Sequence, residues 1–255
     1  MEVDVSRIII EDYMEELLNS LETKVVVVGA GPSGLVASYY LAKHGIDTVV
    51  LERNLSIGGG MWGGGMMFNR IVVQEEARPI LEEFSINFKE IKGKRKEGER
   101  YYSTSSIEAI SKIAAKALDQ GVKIFNLISV EDLIVANNRV RGVVINWTSV
   151  ELSKLHVDPL VIKSEYVIDA TGHESSVCRV IAEKIGELRI RGEGPMWAEK
   201  GEKLVVENTR EIYPGLIVTG MAANAVSGSP RMGPIFGGMF LSGKKAAEIA
   251  INSLR

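Results

Sequence analysis

The sequence predicts an α/β protein built around a mostly parallel sheet, and one βαβ unit carries most of that prediction. Four consecutive valines at positions 25–28 are typical of a strand that is buried on both faces. A glycine-rich turn and a helical pattern through Ala42 follow, and a second apolar run at 48–51 ends on Glu52. Strand, helix and strand therefore fit within residues 24–53, about the length that such a unit needs.

Gly29, Gly31 and Gly34 form the pattern G-x-G-x-x-G between the first strand and the helix. In a Rossmann-like fold the first glycine permits a tight turn, the second lets a pyrophosphate approach the backbone, and the third lets the helix pack on the strand. Glu52 lies 18 residues after Gly34, where an acid can hold an adenosine ribose. The unit predicts dinucleotide binding, and a purely structural glycine turn is the alternative.

Composition limits the kind of partner and the compartment. The chain has 255 residues, 45% of them hydrophobic and 25% charged, with a formal net charge of −3. This charge gives no reason to expect nucleic acid or an anionic membrane surface as partner. The single Cys178 excludes an internal disulfide, and no signal peptide or bilayer-spanning apolar run is visible. We therefore expect a cytoplasmic protein.

The elements around the βαβ unit follow from local patterns. Residues 1–20 are expected to contain an amphipathic helix, with Ile9, Tyr13, Leu17 and Leu18 on one face, that packs on the fold or on another subunit. Further helices are predicted at 75–84, 103–118 and 243–254, and strands at 123–127, 131–135, 140–146, 166–170 and 215–220.

The chain is predicted to form a single domain, 1–255, with a β-rich insertion at about 60–160. A turn at Asn137–Asn138 joins two of its strands as a hairpin, and residues 87–96 read as a solvated basic surface.

A loop with six glycines between positions 58 and 65 is expected to be functional rather than a plain linker. Met61, Trp62, Met66 and Met67 are interleaved with these glycines. Their side chains either cover a flat ring system or pack as ordinary core.

Three further motifs occur in the order found in two-dinucleotide flavoproteins: ER-x-x-x-x-GG at 52–59, DATG at 169–172 and PGLIVTG at 214–220. The fold therefore resembles the FAD/NAD-binding Rossmann class of the glutathione-reductase type. In FAD enzymes the last strand normally ends in Gly-Asp, and the Asp accepts a hydrogen bond from the ribityl chain. Here Met221 follows Gly220, and a thioether accepts only weakly. A different adenine dinucleotide is expected on this scaffold.

Of the three histidines, His44 at the end of the first helix is interpreted as a surface residue. His156 and Asp158 are two residues apart and lie on the same side of an extended segment. His173 follows the DATG strand, at the carboxyl end where doubly wound sheets bind ligands. Imidazole and carboxylate with open positions suit Fe(II). A labile metal site completed by substrate is one interpretation, and two surface histidines are the other.

Arg231 is the only cation in a loop of glycines and methionines near the end of the chain. Its planar guanidinium fits a carboxylate ligand. An arginine paired with a structural acid is the alternative.

Together these motifs resemble the thiazole synthase family of thiamine biosynthesis, in its archaeal, sulfide-dependent form. The similarity covers nearly the whole chain, from GAGPSGL and GGGMWGGGMMF through VEDLI, HVDP and ATGH to the ending RMGP-x-FG-x-M-x-x-SG. It implies a transferase that converts NAD, glycine and sulfide to adenosine diphosphate 5-(2-hydroxyethyl)-4-methylthiazole-2-carboxylate with release of nicotinamide. It also implies a fold similar to that of flavoproteins in an enzyme that performs no redox reaction, and a ring-like homo-octamer.

The resemblance also implies roles for individual residues. Contacts to the adenosine diphosphate half of NAD match Ser33, Glu52, Arg53 and Gly60. Further contacts to the dinucleotide or its intermediates match Val130, His156, Val157 and Met221. Asp158 and His173 match Fe(II) ligands that come from neighbouring subunits, and Arg231 matches the residue that holds the glycine carboxylate.

Within the family that the chain resembles, the residue at position 156 indicates where the sulfur of the product comes from. Eukaryotic relatives carry there a cysteine that gives up its own sulfur, so that each molecule works once. This chain has His156, and Cys178 lies outside the motif. Free sulfide and repeated turnover are therefore expected, with His156 a candidate for proton transfer.

Three other functions remain open from the sequence. The chain could be an FAD- or NAD(P)-dependent oxidoreductase, an isomerase of a ribose phosphate or nucleotide sugar, or a non-catalytic NAD-binding protein.

Overall fold

The computed structural model describes residues 1–91 and 100–255, and its centre is the predicted, mostly parallel sheet. The strands in the described residues are β1 Glu22–Val28, β2 Thr48–Glu52, β3 Arg70–Gln74, β4 Phe88–Glu90, β5 Tyr101–Ser105, β6 Lys123–Asn126, β7 Ile128–Ala136, β8 Arg139–Trp147, β9 Leu160–Asp169, β10 Arg210–Tyr213 and β11 Leu216–Val218. The helices are α1 Glu2–Leu18, α2 Pro32–Lys43, α3 Arg78–Glu83, α4 Ser106–Asp119, α5 Thr148–Ser153, α6 Ser176–Lys184, α7 Ala198–Glu207, α8 Met221–Ser227 and α9 Gly237–Leu254.

The main sheet has the strand order β10-β11-β9-β1-β2-β6. The pairs β1–β2, β1–β9, β9–β11 and β2–β6 are parallel. The hairpin β7–β8 extends the sheet through antiparallel pairing of β8 with the first part of β9. This arrangement confirms the α/β fold class with additional strands between the parallel ones.

The valine run shows why this sheet is covered on both faces. Val25 and Val27 contribute to a cluster with α2, α4 and α9, whereas Val26 and Val28 contribute to another with β8, α6 and α8. Side chains alternate between the faces of a strand, so one uninterrupted apolar run supplies both cores. Burial of each such side chain contributes about 1.5–3 kcal/mol.

The strands between residues 60 and 160 divide between two sheets. β3, β5 and β4 form a separate antiparallel sheet, in which β5 is central. Asn137 and Asn138 both have positive φ and join β7 to β8, as predicted for a tight hairpin. The predicted polar surface at 87–96 lies partly outside the described residues, and its described part includes β4.

Two helix boundaries differ from the predictions. Residues 103–105 belong to β5 because they pair with β3 and β4, and α4 begins at Ser106, where the Ser105 hydroxyl accepts a hydrogen bond from the Glu108 amide at 3.3 Å. The closing helix begins at Gly237 rather than at 243. Gly243 lies inside it, where a Cβ would be 2.3 Å from the Ser33 carbonyl oxygen. Its role is close packing of α9 on α2.

The N-terminal helix α1 touches the core at one end only. Leu17 is buried, and the Tyr13 ring packs edge-on against Phe125 with 5.8 Å between centroids. Ile9 and Leu18, expected on the same face, are instead 63% and 60% exposed. Most of the apolar surface of α1 is therefore uncovered in one chain.

Among the described residues, no helix combines the length and the apolar character that a membrane span needs.

Candidate functional site

A cavity of about 700 Å³ lies at the carboxyl ends of β1, β2 and β9. The chain leaves β1 towards β2 on one side, and β9 lies on the other, so this is the switch point of the sheet. Open α/β sheets bind ligands at such a point because neighbouring connections diverge and leave a crevice.

The three glycines of the turn have different surroundings. A Cβ on Gly29, where φ is +103°, would lie 2.5 Å from the Ala170 carbonyl oxygen, and a Cβ on Gly34 would lie 2.0 Å from the Gly29 oxygen. Gly31 has no atom within 4 Å of a Cβ position and lines the cavity. The first and third glycines thus permit close packing of the chain on itself, whereas the second leaves open space for a ligand.

Other residues near the glycine turn face the same space. Gly31, Pro32 and Ser33 lie at the N-terminus of α2 and line the cavity. No side chain caps this end of the helix, so its free amide groups are available to a ligand there. Ser33 and Gly60 line the cavity, and no atom lies within 4 Å of a Cβ on Gly60. A Cβ on Gly59 would be 3.5 Å from the Gly31 Cα, so the two glycine loops face each other.

Glu52 is fixed at the end of β2 and is only 5% exposed. Its carboxylate accepts hydrogen bonds from the Ala30 amide at 2.9 Å, the Asn54 amide at 2.8 Å and the Asn54 side chain at 2.7 Å. A carboxylate offers about four acceptor positions. One position is therefore left for a hydroxyl in the cavity.

Arg53 bridges the cavity to the loop after β9. Its guanidinium donates two hydrogen bonds to Glu174, at 2.7 and 2.8 Å, and both side chains are about half exposed. The hydrogen bond to Glu174 raises the pKa of Arg53, and Arg53 lowers the pKa of the Glu174 carboxyl. No local motif indicates Glu174 beyond its position next to His173, because its partner Arg53 is distant in the chain.

Met221 and Val130 also line the cavity. Met221 begins α8 directly after Gly220, whose φ is +62° and whose Cβ would lie 2.3 Å from the Ser33 hydroxyl. Gly220 therefore brings Met221 against the turn of the first βαβ unit, at the position that flavoproteins give to an acid.

Methionine is the most frequent apolar side chain among the residues that line the cavity. Among the described residues, six of the nine methionines line it: Met61, Met66, Met196, Met221, Met232 and Met239. Methionine is flexible and polarisable and contacts aromatic rings through sulfur. Such a wall adapts to ligands of different shape.

The glycine-rich loop divides between core and surface. Met61 is fully buried, whereas Trp62 is 41% exposed and donates its indole N–H to the Ile57 carbonyl at 2.7 Å. Met66 and Met67 are 77% and 87% exposed, and both have positive φ at the tip of a tight turn. In one chain, only Met61 and Met66 of these four side chains line the cavity.

His173 and Arg231 both line the cavity. The His173 ring lies with Nδ1 2.6 Å from Glu193 Oε1. The Arg231 side chain is exposed, and no hydrogen bond or ion pair joins it to another side chain in residues 1–91 and 100–255. The alternative of an arginine paired with a structural acid therefore finds no support in the described part of the chain.

His156, Val157 and Asp158 lie elsewhere. They belong to an exposed segment between α5 and β9, and none of them lines the cavity. Within one chain the described residues contain no group of three or more side chains that could hold a metal ion. The predicted ligands Asp158 and His173 are thus not brought together at the cavity of a single chain.

His44 caps the C-terminus of α2 and is exposed, with Nδ1 2.8 Å from the Tyr40 carbonyl oxygen, as predicted for a surface residue.

The sheet, the glycine turn and the switch-point cavity assign the chain to the FAD/NAD-binding Rossmann class of α/β proteins. A geranylgeranyl bacteriochlorophyll reductase-like protein from Thermoplasma acidophilum shares this fold, with a TM-score of 0.59 at 17% identity over 91% of this chain and 79% of that one. The Thi4 family model matches residues 6–236, and the chain belongs to the Thi4 family. This confirms the family predicted from the motifs.

Curated relatives and a solved structure are similar over nearly the full length. The thiamine thiazole synthase of Pyrococcus abyssi is 58% identical over 253 residues, covering 99% of this chain and 98% of that protein. That of Methanothermobacter thermautotrophicus is 52% identical over 260 residues, covering 100% and 98%. The crystal structure of Thermovibrio ammonificans THI4 has a TM-score of 0.93 and 51% identity, covering 100% of this chain and 98% of that one.

Proposed function

We propose that this chain is a thiazole synthase of thiamine biosynthesis. It converts NAD, glycine and sulfide to adenosine diphosphate 5-(2-hydroxyethyl)-4-methylthiazole-2-carboxylate, releases nicotinamide, depends on Fe(II) and turns over repeatedly. The observation that carries this proposal is one cavity that combines the glycine turn with Met221, His173 and Arg231, which has no acidic partner among the described residues. Family membership and the names of the relatives support the thiazole product.

NAD is a substrate in this proposal. The open space above Gly31, the helix N-terminus and the remaining acceptor position of Glu52 suit a pyrophosphate and an adenosine ribose. Met221 gives a ribityl chain only a weak acceptor, which disfavours FAD. The thioether wall accommodates a ligand that changes shape as the ribose opens and the thiazole forms.

Glycine binds through its carboxylate to Arg231. The guanidinium lies at the cavity with no acid beside it in the described ranges, so its bidentate donors are available. His156 is a candidate for proton transfer because an imidazole can both accept and donate a proton.

The donor set fits Fe(II) chemically if two chains contribute. His173 faces the cavity with Nδ1 engaged by Glu193, and Asp158 of a second copy supplies the carboxylate. Fe(II) would supply a template and Lewis acid at this position. The exposed Asp158 segment and the uncovered apolar surface of α1 support a homo-oligomer, which we expect to be an octamer with shared sites.

Product analysis tests the proposal. Anaerobic incubation with NAD, glycine, sulfide and Fe(II), followed by mass spectrometry, is expected to yield the adenylated thiazole in excess over enzyme. Omission of glycine should stop the reaction at an earlier nucleotide. Flavin absorbance in the purified protein would instead favour the oxidoreductase, and a ketose product unaffected by glycine would favour the isomerase.

Complementation tests the shared site. Asp158→Ala and His173→Ala should each abolish activity, and a mixed oligomer assembled from both variants should recover part of it, because some sites then contain one intact copy of each ligand. Reassembled oligomers of either single variant are the control. Absence of recovery in verified mixed oligomers would contradict ligands from different chains.

A further inference from the structure

The His173 ring is held by an acid that the sequence motifs do not include. Its Nδ1 lies 2.6 Å from Glu193 Oε1, and the Glu193 side chain is only 17% exposed, whereas the imidazole is 54% exposed at the cavity. A neutral imidazole has one N–H and one acceptor nitrogen. A carboxylate on Nδ1 accepts the N–H there and leaves Nε2 as the acceptor.

The acid next to His173 in the chain is not available for this role. Glu174 is engaged by two hydrogen bonds from Arg53, at 2.7 and 2.8 Å. Glu193 reaches the ring from 20 residues further along the chain. The contact between His173 and Glu193 therefore depends on the tertiary fold. It also differs from the Arg53–Glu174 contact, in which both side chains are half exposed, because the Glu193 side chain is mostly buried.

Backbone hydrogen bonds join the segment that contains Glu193 to the loop that contains Arg231. Directly after Glu193, the Gly194 amide donates to the Ser229 carbonyl at 3.0 Å, and the Gly194 carbonyl accepts from the Arg231 amide at 3.4 Å. The Trp197 amide then donates to the Arg231 carbonyl at 3.0 Å. These backbone bonds fix Arg231 relative to Glu193.

We infer that Glu193 is the positioning residue of the site: it holds His173 with Nε2 directed at the cavity and keeps the Arg231 loop in register with that ring. The inference rests on the proposed function in two respects, namely that His173 Nε2 binds a divalent metal and that Arg231 binds glycine. Carboxylates on the second nitrogen of a metal-binding histidine fix its tautomer and orientation and raise its basicity. Here the Glu193 carboxylate reaches the metal ligand, and the backbone that follows Glu193 holds the loop of the cation proposed for glycine.

The tautomer of His173 tests the inference without any metal. In protein labelled with ¹⁵N in histidine, with signals assigned through His44→Gln and His156→Gln, His173 should be protonated at Nδ1. In Glu193→Gln the Nε2-protonated form should become substantial, because the neutral amide no longer favours an N–H at Nδ1 alone. Glu187→Gln, which removes an exposed acid from the same loop, should leave the spectrum unchanged. An unchanged His173 tautomer in Glu193→Gln would overturn the inference.

Metal and glycine binding provide the second readout. Anaerobic titration with Co(II), read from its visible absorption, should show 10- to 100-fold weaker binding in Glu193→Gln, by about the factor typical of such partners. The KM for glycine should rise several-fold while that for NAD changes less, and Glu193→Asp should restore part of both. Equal effects on both KM values with unchanged Co(II) affinity would contradict a positioning role.

The two proposals fail in different ways. If His173→Ala binds Co(II) as tightly as the wild type, the proposed metal site is wrong, and the tautomer experiment alone then decides the role of Glu193.

Discussion

At the residue scale, substitution by alanine is expected to have different effects at two of the three glycines of the G-x-G-x-x-G motif. At Gly31 it should weaken ligand binding, and at Gly34 it should destabilise the fold. Gly31→Ala adds a methyl group into open cavity at an ordinary φ of −75°, so the free energy of unfolding should change by no more than about 1 kcal/mol. The same methyl occupies the place of a pyrophosphate, and ADP-ribose affinity should fall at least about tenfold, or 1.4 kcal/mol.

Gly34→Ala is the matched variant. Its Cβ would meet the Gly29 oxygen at 2.0 Å, so we expect destabilisation of about 3 kcal/mol. Thermal unfolding and calorimetric titration with ADP-ribose measure both effects. Wild-type affinity in a folded Gly31→Ala would contradict the phosphate cradle.

Cys178 illustrates a residue whose chemistry is suppressed by its surroundings. It is fully buried, and burial, followed by the nearby Asp169, raises the pKa of its thiol well above the ordinary value. The thiolate is the reactive form, so this sulfur is inert.

Cys178→Ala should therefore keep sulfide-dependent turnover and lose about 1 kcal/mol of stability from the small cavity it leaves. Intact-protein mass before and after many turnovers should be unchanged in the wild type. Loss of sulfur from the protein during the reaction would mean that the chain itself is the donor.

At the scale of elements, α7, α9 and β3 meet at a buried acid. Glu202 is 5% exposed, and its carboxylate accepts a hydrogen bond from the Gly238 amide in the first turn of α9. Its Oε2 and the Oε1 of Gln74 are both buried without a partner in the described structure. Burial raises the pKa of Glu202 from its ordinary 4.5 to about 7.

The sign of the pH dependence follows from this shift. Between about pH 4.5 and 7 the folded protein keeps a proton that the unfolded chain has released, so Glu202 lowers stability as pH rises through this window. Glu202→Gln should be more stable than the wild type at pH 8, by up to about 3 kcal/mol, and nearly equal to it at pH 5.

Urea unfolding at equal protein concentration measures this difference. Glu199→Gln, an exposed change on the same helix, should show no comparable dependence on pH. A stability difference for Glu202→Gln that is equal at pH 5 and 8 would contradict a buried acid that titrates near neutrality.

The helices and strands that could be predicted are those that a short stretch of sequence indicates by itself. The βαβ unit, the hairpin at Asn137–Asn138 and the strands at 166–170 and 215–220 follow from periodicity and turn residues. β3 and β5 have five residues each, and their pairing joins segments that are distant in the chain, so no local pattern indicates it. The Met66–Met67 turn uses positive φ at residues that normally avoid it, so no propensity could indicate it.

At the scale of the whole molecule, the site contains two kinds of residue. Some are close together in the sequence, and others are brought together only by the fold. The position of the turn glycines and Glu52 at one cavity was predictable because they lie in one contiguous motif. Glu174 and Glu193 were missed because their partners Arg53 and His173 reach them only in the folded chain. The residue patterns left the roles of Asp158 and Arg231 open, and the specific roles came from family resemblance. The exposed position of Asp158 leaves its role dependent on assembly.

The central claim is that the cavity holds NAD as a substrate. The most direct measurement uses NAD labelled with ¹³C in the ribose attached to nicotinamide, incubated anaerobically with glycine, sulfide and Fe(II). Labelled carbon is expected in an adenylated thiazole, together with free nicotinamide and more than one product molecule per chain. Recovery of the labelled NAD intact or only reduced, in protein shown to bind it, would show that NAD is not a substrate.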